Sequence, residues 1–144
     1  MGRPRMDRYR IHAGTGLVVF QNEGVLSYQH WEVAVREALA GTGRGGIRRI
    51  LSDRRRMADS YPPAMSERVV EFIAFNASQL GDLQWAVLVP DRPAAQQAVQ
   101  LAQRMSQGTR MRVRAFSDLE DSLQWLLGVY EDAEVAELAA WVNG

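Results

Sequence analysis

Apolar and polar positions fall into blocks along this chain, and the period of each block names an element. Tyr9–His12 and Leu17–Asn22 read as two strands broken by Ala13-Gly14-Thr15-Gly16, a Gly-bearing turn suited to a hairpin. Leu17-Val18-Val19-Phe20 is a continuous apolar run, which predicts a strand covered on both faces. Trp31, Ala34, Val35, Ala38 and Leu39 fall at helical spacing, giving a helix from an N-cap at Ser27 to about Ala40. Ile47–Leu51 is a third strand running into Ser52-Asp53-Arg54-Arg55-Arg56, expected as a charged loop. Pro62 and Pro63 open a second helix reaching roughly Leu80, closed by Gly81. Trp85–Val89 has the composition of a central strand, and Pro93–Ser106 repeats the amphipathic helical period. Met111, Val113 and Ala115 alternate with Arg110, Arg112 and Arg114, which predicts a half-exposed edge strand. Ser117 is the expected cap of a helix to about Leu127, with Glu120 completing a capping box, and Glu131–Val142 adds an acidic amphipathic helix.

The order is β-β-α-β-α-β-α-β-α plus a C-terminal helix. Strands separated by helices must be parallel with right-handed crossovers, so the expectation is one α/β domain. Its sheet is mixed and five-stranded, with an opening antiparallel hairpin, about four helices and the added C-terminal helix. The expected organisation is a loose N-terminus over 1–7, the α/β domain over 8–128 and an acidic helical extension over 129–144.

The chain has 144 residues, 47% hydrophobic and 24% charged, with no cysteine. Disulfides and thiolate chemistry are therefore excluded, and a cytoplasmic setting is the natural expectation. No apolar run approaches the ~20 residues of a membrane span, and no signal-peptide core follows the basic start. Zero net charge hides a gradient. Residues 1–56 hold eleven Arg against five acids, whereas residues 116–144 hold seven acids and no base. The two ends are expected to attract each other, within the fold or between subunits. All seventeen basic residues are Arg, and a sequence pI of 6.7 argues against nucleic acid as a partner.

Gly16-Leu17-Val18-Val19-Phe20 with Gly24, the Ile47–Asp53 strand end, Trp85–Asp91 and Val113–Asp118 form a pattern that resembles the STAS domain. The resemblance covers about residues 8–128 and is strongest to stand-alone bacterial STAS-like proteins related to sporulation anti-sigma factor antagonists. Those proteins are also compared with CRAL-TRIO lipid-binding domains. The resemblance implies a non-enzymatic regulatory or protein-interaction module without a cofactor. The alternative is a carrier or sensor of a lipid-like or anionic ligand. It also implies a phosphorylated Ser at the helix after the third strand, within Asp-Ser-Ser-Gly. Here the segment is Asp59-Ser60-Tyr61-Pro62, which matches at two positions once a small gap is allowed. Ser60 is thus a phosphorylation candidate, against its plainer role as a helix cap.

Asp53, Arg54, Arg55 and Arg56 lie where open α/β sheets place ligands, and guanidinium groups suit phosphate or a lipid headgroup. The competing reading is a solvated charged loop, paired with the acidic C-terminus. Gly41–Gly46 follows a helix and opens a strand, the reverse of a phosphate loop, and lacks its Lys. His12 and His30 have no carboxylate or second His at ligand spacing, so no metal is expected. No nucleophile elbow or acid–base pair emerges, and no catalytic residue is assigned. The helix from Met65 to Leu80 is apolar around much of its circumference. Phe72, Ile73 and Phe75, with Trp141 in the tail, are candidates for an apolar pocket or a homodimer interface, set against plain core packing.

Overall fold

Strands built from these apolar runs pair in sequence order in the computed structural model, which describes residues 8–24, 27–41, 48–57, 63–128 and 131–144. They are β1 (Arg8–Ile11), β2 (Val18–Gly24), β3 (Arg49–Met57), β4 (Gln84–Leu88) and β5 (Arg112–Phe116), in sheet order β1-β2-β3-β4-β5. β1 is antiparallel to β2, and the remaining neighbours are parallel. The helices are α1 (Tyr28–Gly41), α2 (Pro63–Phe75), α3 (Ala77–Leu80), α4 (Arg92–Ser106), α5 (Leu119–Leu127) and α6 (Asp132–Asn143). The mixed sheet and α/β class expected from the sequence are what the chain adopts.

Strand periodicity of two divides the apolar side chains between two cores. Sequential parallel strands with right-handed crossovers place their connecting helices on one face. There, Val18, Phe20, Ile50, Trp85 and Val87 meet Trp31 and Val35 of α1, Val69, Phe72 and Ile73 of α2, and Met105 of α4. Leu17, Val19, Leu51, Ala86 and Leu88 point to the other face. That face is covered by Leu119, Leu123 and Leu126 of α5 and by Val135, Leu138 and Val142 of α6. The first core is aromatic: Trp31 stacks on Trp85 with centroids 6.1 Å apart, and Phe72 meets Trp31 edge-on at 5.3 Å. The buried Trp85 indole donates to Ser52 Oγ at 2.7 Å, which satisfies both polar groups.

Three expectations need correction. The third strand does not end at Leu51; it continues through the arginines to Met57, because β2 extends with it and pairs Glu23 with Arg56 and Gly24 with Met57. The Arg run is therefore a strand, not a loop. The long second helix is broken at Asn76, whose buried side chain donates to the Phe72 carbonyl at 2.8 Å. The Asn76 backbone N–H keeps its regular bond to the same carbonyl at 3.0 Å, and the break lies in the Asn76 backbone, whose φ of −105° and ψ of 15° depart from helical values. The cap of α5 is Asp118 rather than Ser117. Its carboxylate accepts from the Glu120 and Asp121 amides, at 2.8 and 3.3 Å. Leu119, Leu123 and Leu126, spaced i, i+4 and i+7, lie together against the sheet. β5 is an edge strand, with Arg112 and Arg114 exposed as its alternation predicts.

Candidate functional site

The carboxyl ends of the parallel strands are uneven. β4 last pairs with β3 at Leu88↔Asp53, yet β3 runs on to Met57 beside β2 alone. The register shifts at this point: Gln21 and Glu23 on β2 align with Asp53 and Arg56 on β3, so one extra β3 residue is accommodated. A two-stranded ribbon, bearing Arg54, Arg55 and Arg56, thus projects beyond the rest of the sheet.

The four candidate residues do not act as one anion site. Arg55 forks onto Asp53, Nε to Oδ1 and an Nη to Oδ2, both 2.9 Å, and its backbone amide also donates to Oδ1. The hydrogen bond to Asp53 raises the Arg55 pKa above its ordinary value; burial opposes this, and the Asp53 charge reinforces it. The same guanidinium donates to Asn143 Oδ1 at 2.9 Å. Arg54 is buried, and Arg56 is exposed.

Arg55 belongs to a clamp on the C-terminal end of α6 that crosses three strands. Arg10 of β1 and Gln21 of β2 both donate to the Val142 carbonyl, at 2.7 and 2.9 Å. Arg10 also lies over the Trp141 ring, 4.4 Å from its centroid. Helix-terminal carbonyls lack intrahelical donors and carry partial negative charge, so arginine is well matched to them. In these contacts the basic N-terminal half meets the tail through a carbonyl and an amide side chain rather than through its acidic side chains.

The apolar candidates are scattered. Phe72 and Ile73 are buried in the first core, Phe75 is 89% exposed, and Trp141 is half-buried on the opposite face. His30 is half-buried on α1. Burial raises the pKa of the nearby Tyr28 hydroxyl, followed by the Glu32 charge, against the opposing pull of Arg68 and Arg36. Ser60, with the rest of Asp59–Pro62, lies outside the described residues, as does most of Gly41–Gly46. Among the described residues no group of three or more His, Asp or Glu side chains is placed to hold a metal ion, and no helix is long and apolar enough to cross a membrane.

Sequence reasoning missed the clamp. Arg10 and Val142 are 132 positions apart, and no local pattern marks residues whose role is to meet across that span. It also missed a groove where His12 and Thr15, in the β1–β2 turn, face Glu134 and Glu137 of α6.

No family model and no curated protein matches the sequence. Among solved structures, an uncharacterised DUF3478-family protein with a SpoIIAA-like fold, from Shewanella loihica PV-4, superposes with a TM-score of 0.59. It covers 88% of this chain and 98% of its own length at 17% identity. The fold is STAS-like. At that identity the likeness concerns architecture alone, and the neighbour is itself uncharacterised. The STAS-like sheet nevertheless gives the uneven strand ends their context, since ligands and partners of open α/β sheets gather at the carboxyl edge.

Proposed function

We propose that this STAS-like chain is a non-enzymatic cytoplasmic regulatory module that binds a protein partner at the carboxyl edge of its parallel strands. The observation that carries the reading is the β2–β3 ribbon. It projects past β4, is fixed at its base by the Asp53–Arg55 fork, and presents exposed Arg56. Such a rigid, charged projection suits recognition of a macromolecular surface, where arginine is enriched. Phe72 and Ile73, which would otherwise line an apolar cavity, are packed in the core, and this favours a surface function over a lipid carrier. Ser60 lies three positions after Met57 in the sequence, and its phosphorylation would add negative charge to the segment that follows the arginine run.

Photo-crosslinking from a benzophenone amino acid placed at Arg56 tests the reading in cells. The expected result is a discrete adduct with one protein, absent when the probe sits at Glu71 on the outer face of α2. Ser60→Glu should change that adduct while leaving thermal stability nearly intact; Ser60→Ala with lost stability and an unchanged adduct identifies a cap instead. An adduct with a second copy identifies a homodimer interface at this edge. A purified protein that carries an acyl ligand in native mass spectrometry, and gives no Arg56 adduct, supports the carrier reading and overturns this one.

A further inference from the structure

A groove of 230 Å³ lies at the opposite end of the sheet from the ribbon, between the β1–β2 turn and α6. Leu127 and Leu138 contribute its apolar surface, and His12, Gly14, Thr15, Glu134 and Glu137 its remaining walls. The turn side is held rigidly. His12 accepts at Nδ1 from the Thr15 amide at 3.3 Å and stands 2.9 Å from the Thr15 hydroxyl, whose oxygen accepts from the Leu17 amide. The ring packs edge-on against Trp141 with centroids 4.9 Å apart, which fixes its plane. On the α6 side, Glu134 and Glu137 are exposed, three residues apart and therefore neighbours on the helix surface. Among the described residues neither carboxylate has an ion pair or a side-chain hydrogen bond. Among the described residues, Arg10 is engaged on Val142 and Trp141, and Arg49 on the Thr15 carbonyl at 3.4 Å.

We propose that this groove seats one arginine or lysine side chain of a basic peptide segment on a partner protein. Three observations select that occupant. The volume is below the roughly 300–1,000 Å³ of sites for drug-sized molecules, and it suits a single long side chain. The leucine surface matches the aliphatic stem of such a side chain, which lies on apolar surface while its charged head reaches polar groups. The two exposed carboxylates supply charge complementarity to that head, and they belong to a segment with no base from residue 116 onward. This site is separate from the ribbon, so either can fail without the other.

The test is a proton–nitrogen NMR titration of the full chain with N-acetyl-Gly-Arg-Gly amide, its citrulline counterpart and free n-butylamine. Saturable shifts confined to His12–Thr15 and Glu134–Leu138 are expected, with a dissociation constant of about 1 mM for a single side chain. The neutral citrulline peptide should bind at least about tenfold more weakly. Glu134→Gln with Glu137→Gln should have the same effect without moving the melting temperature, since both side chains are exposed. Absent shifts, or shifts that survive the double substitution or appear equally with citrulline, overturn the proposal. Butylamine, which is the lysine side chain alone, should bind comparably; binding at least about tenfold tighter than the arginine peptide overturns the proposal in favour of a free small amine. Wild-type self-association abolished by the double substitution overturns it in favour of a second copy as occupant.

Discussion

The two faces of the sheet are closed by different means. One is covered by α1, α2 and α4, the crossovers that the parallel strand order itself requires, over a core of stacked aromatic rings. The other receives α5 and α6 from the chain after its last strand, over an aliphatic core. On the first face each helix is tethered at both ends by strands. On the second, polar contacts from β1, β2 and β3 hold the C-terminal end of α6. Topology thus secures one face, whereas the other depends on side chains that must find one another.

The strongest way to break this asymmetry is to remove α6. Truncation after Gly128 withdraws Val135, Leu138 and Val142, each worth about 1.5–3 kcal/mol when fully buried. That sum rivals the roughly 5–15 kcal/mol stability of a typical domain. The expected outcome is loss of a cooperative urea transition, with the near-ultraviolet signal of Trp31 and Trp85 weakened although both lie on the other face. A sharp transition at unchanged midpoint would show that the second face tolerates water.

Single-residue cavities give a smaller and more even comparison. Phe72→Ala should cost about 3–5 kcal/mol and Leu138→Ala about 2–5 kcal/mol, measured by chemical denaturation. Equal costs with unequal local opening would place the asymmetry in dynamics rather than in global stability. Arg10→Gln and Arg55→Gln probe that dynamics directly. Each should cost about 1–2 kcal/mol, with amide exchange accelerated at Trp141–Asn143 and unchanged in β4. Phe75→Ser should be the mildest change, within ~0.5 kcal/mol, because the ring is almost fully exposed.

How much of this was legible follows from the range of each interaction. The Leu17–Phe20 run, the Trp85–Val89 strand and the arginine alternation of β5 are local patterns, and each strand lies where its pattern puts it. The errors came where the structure overrode the pattern. Asn76 resembles any polar helix residue until its backbone is seen to depart from helical values. Asp53-Arg54-Arg55-Arg56 reads as a loop because charged residues rarely continue a strand; the Asp53–Arg55 fork and the company of β2 allow it here. The placement of α6 was only half legible. Its apolar stripe declares a buried face, but the surface it covers is specified by residues near the other end of the sequence.

The bond between Arg10 and the Val142 carbonyl also sets an order in time. The parallel strands pair with the neighbour just synthesised, so most of the sheet can assemble as the chain emerges, at about 5–20 residues per second. Leu17, Val19 and Leu51 are made early, yet the helix that covers them is the last described element to appear. For several seconds of translation a nascent chain therefore carries an open aliphatic sheet face, the kind of surface that chaperones hold and aggregates recruit.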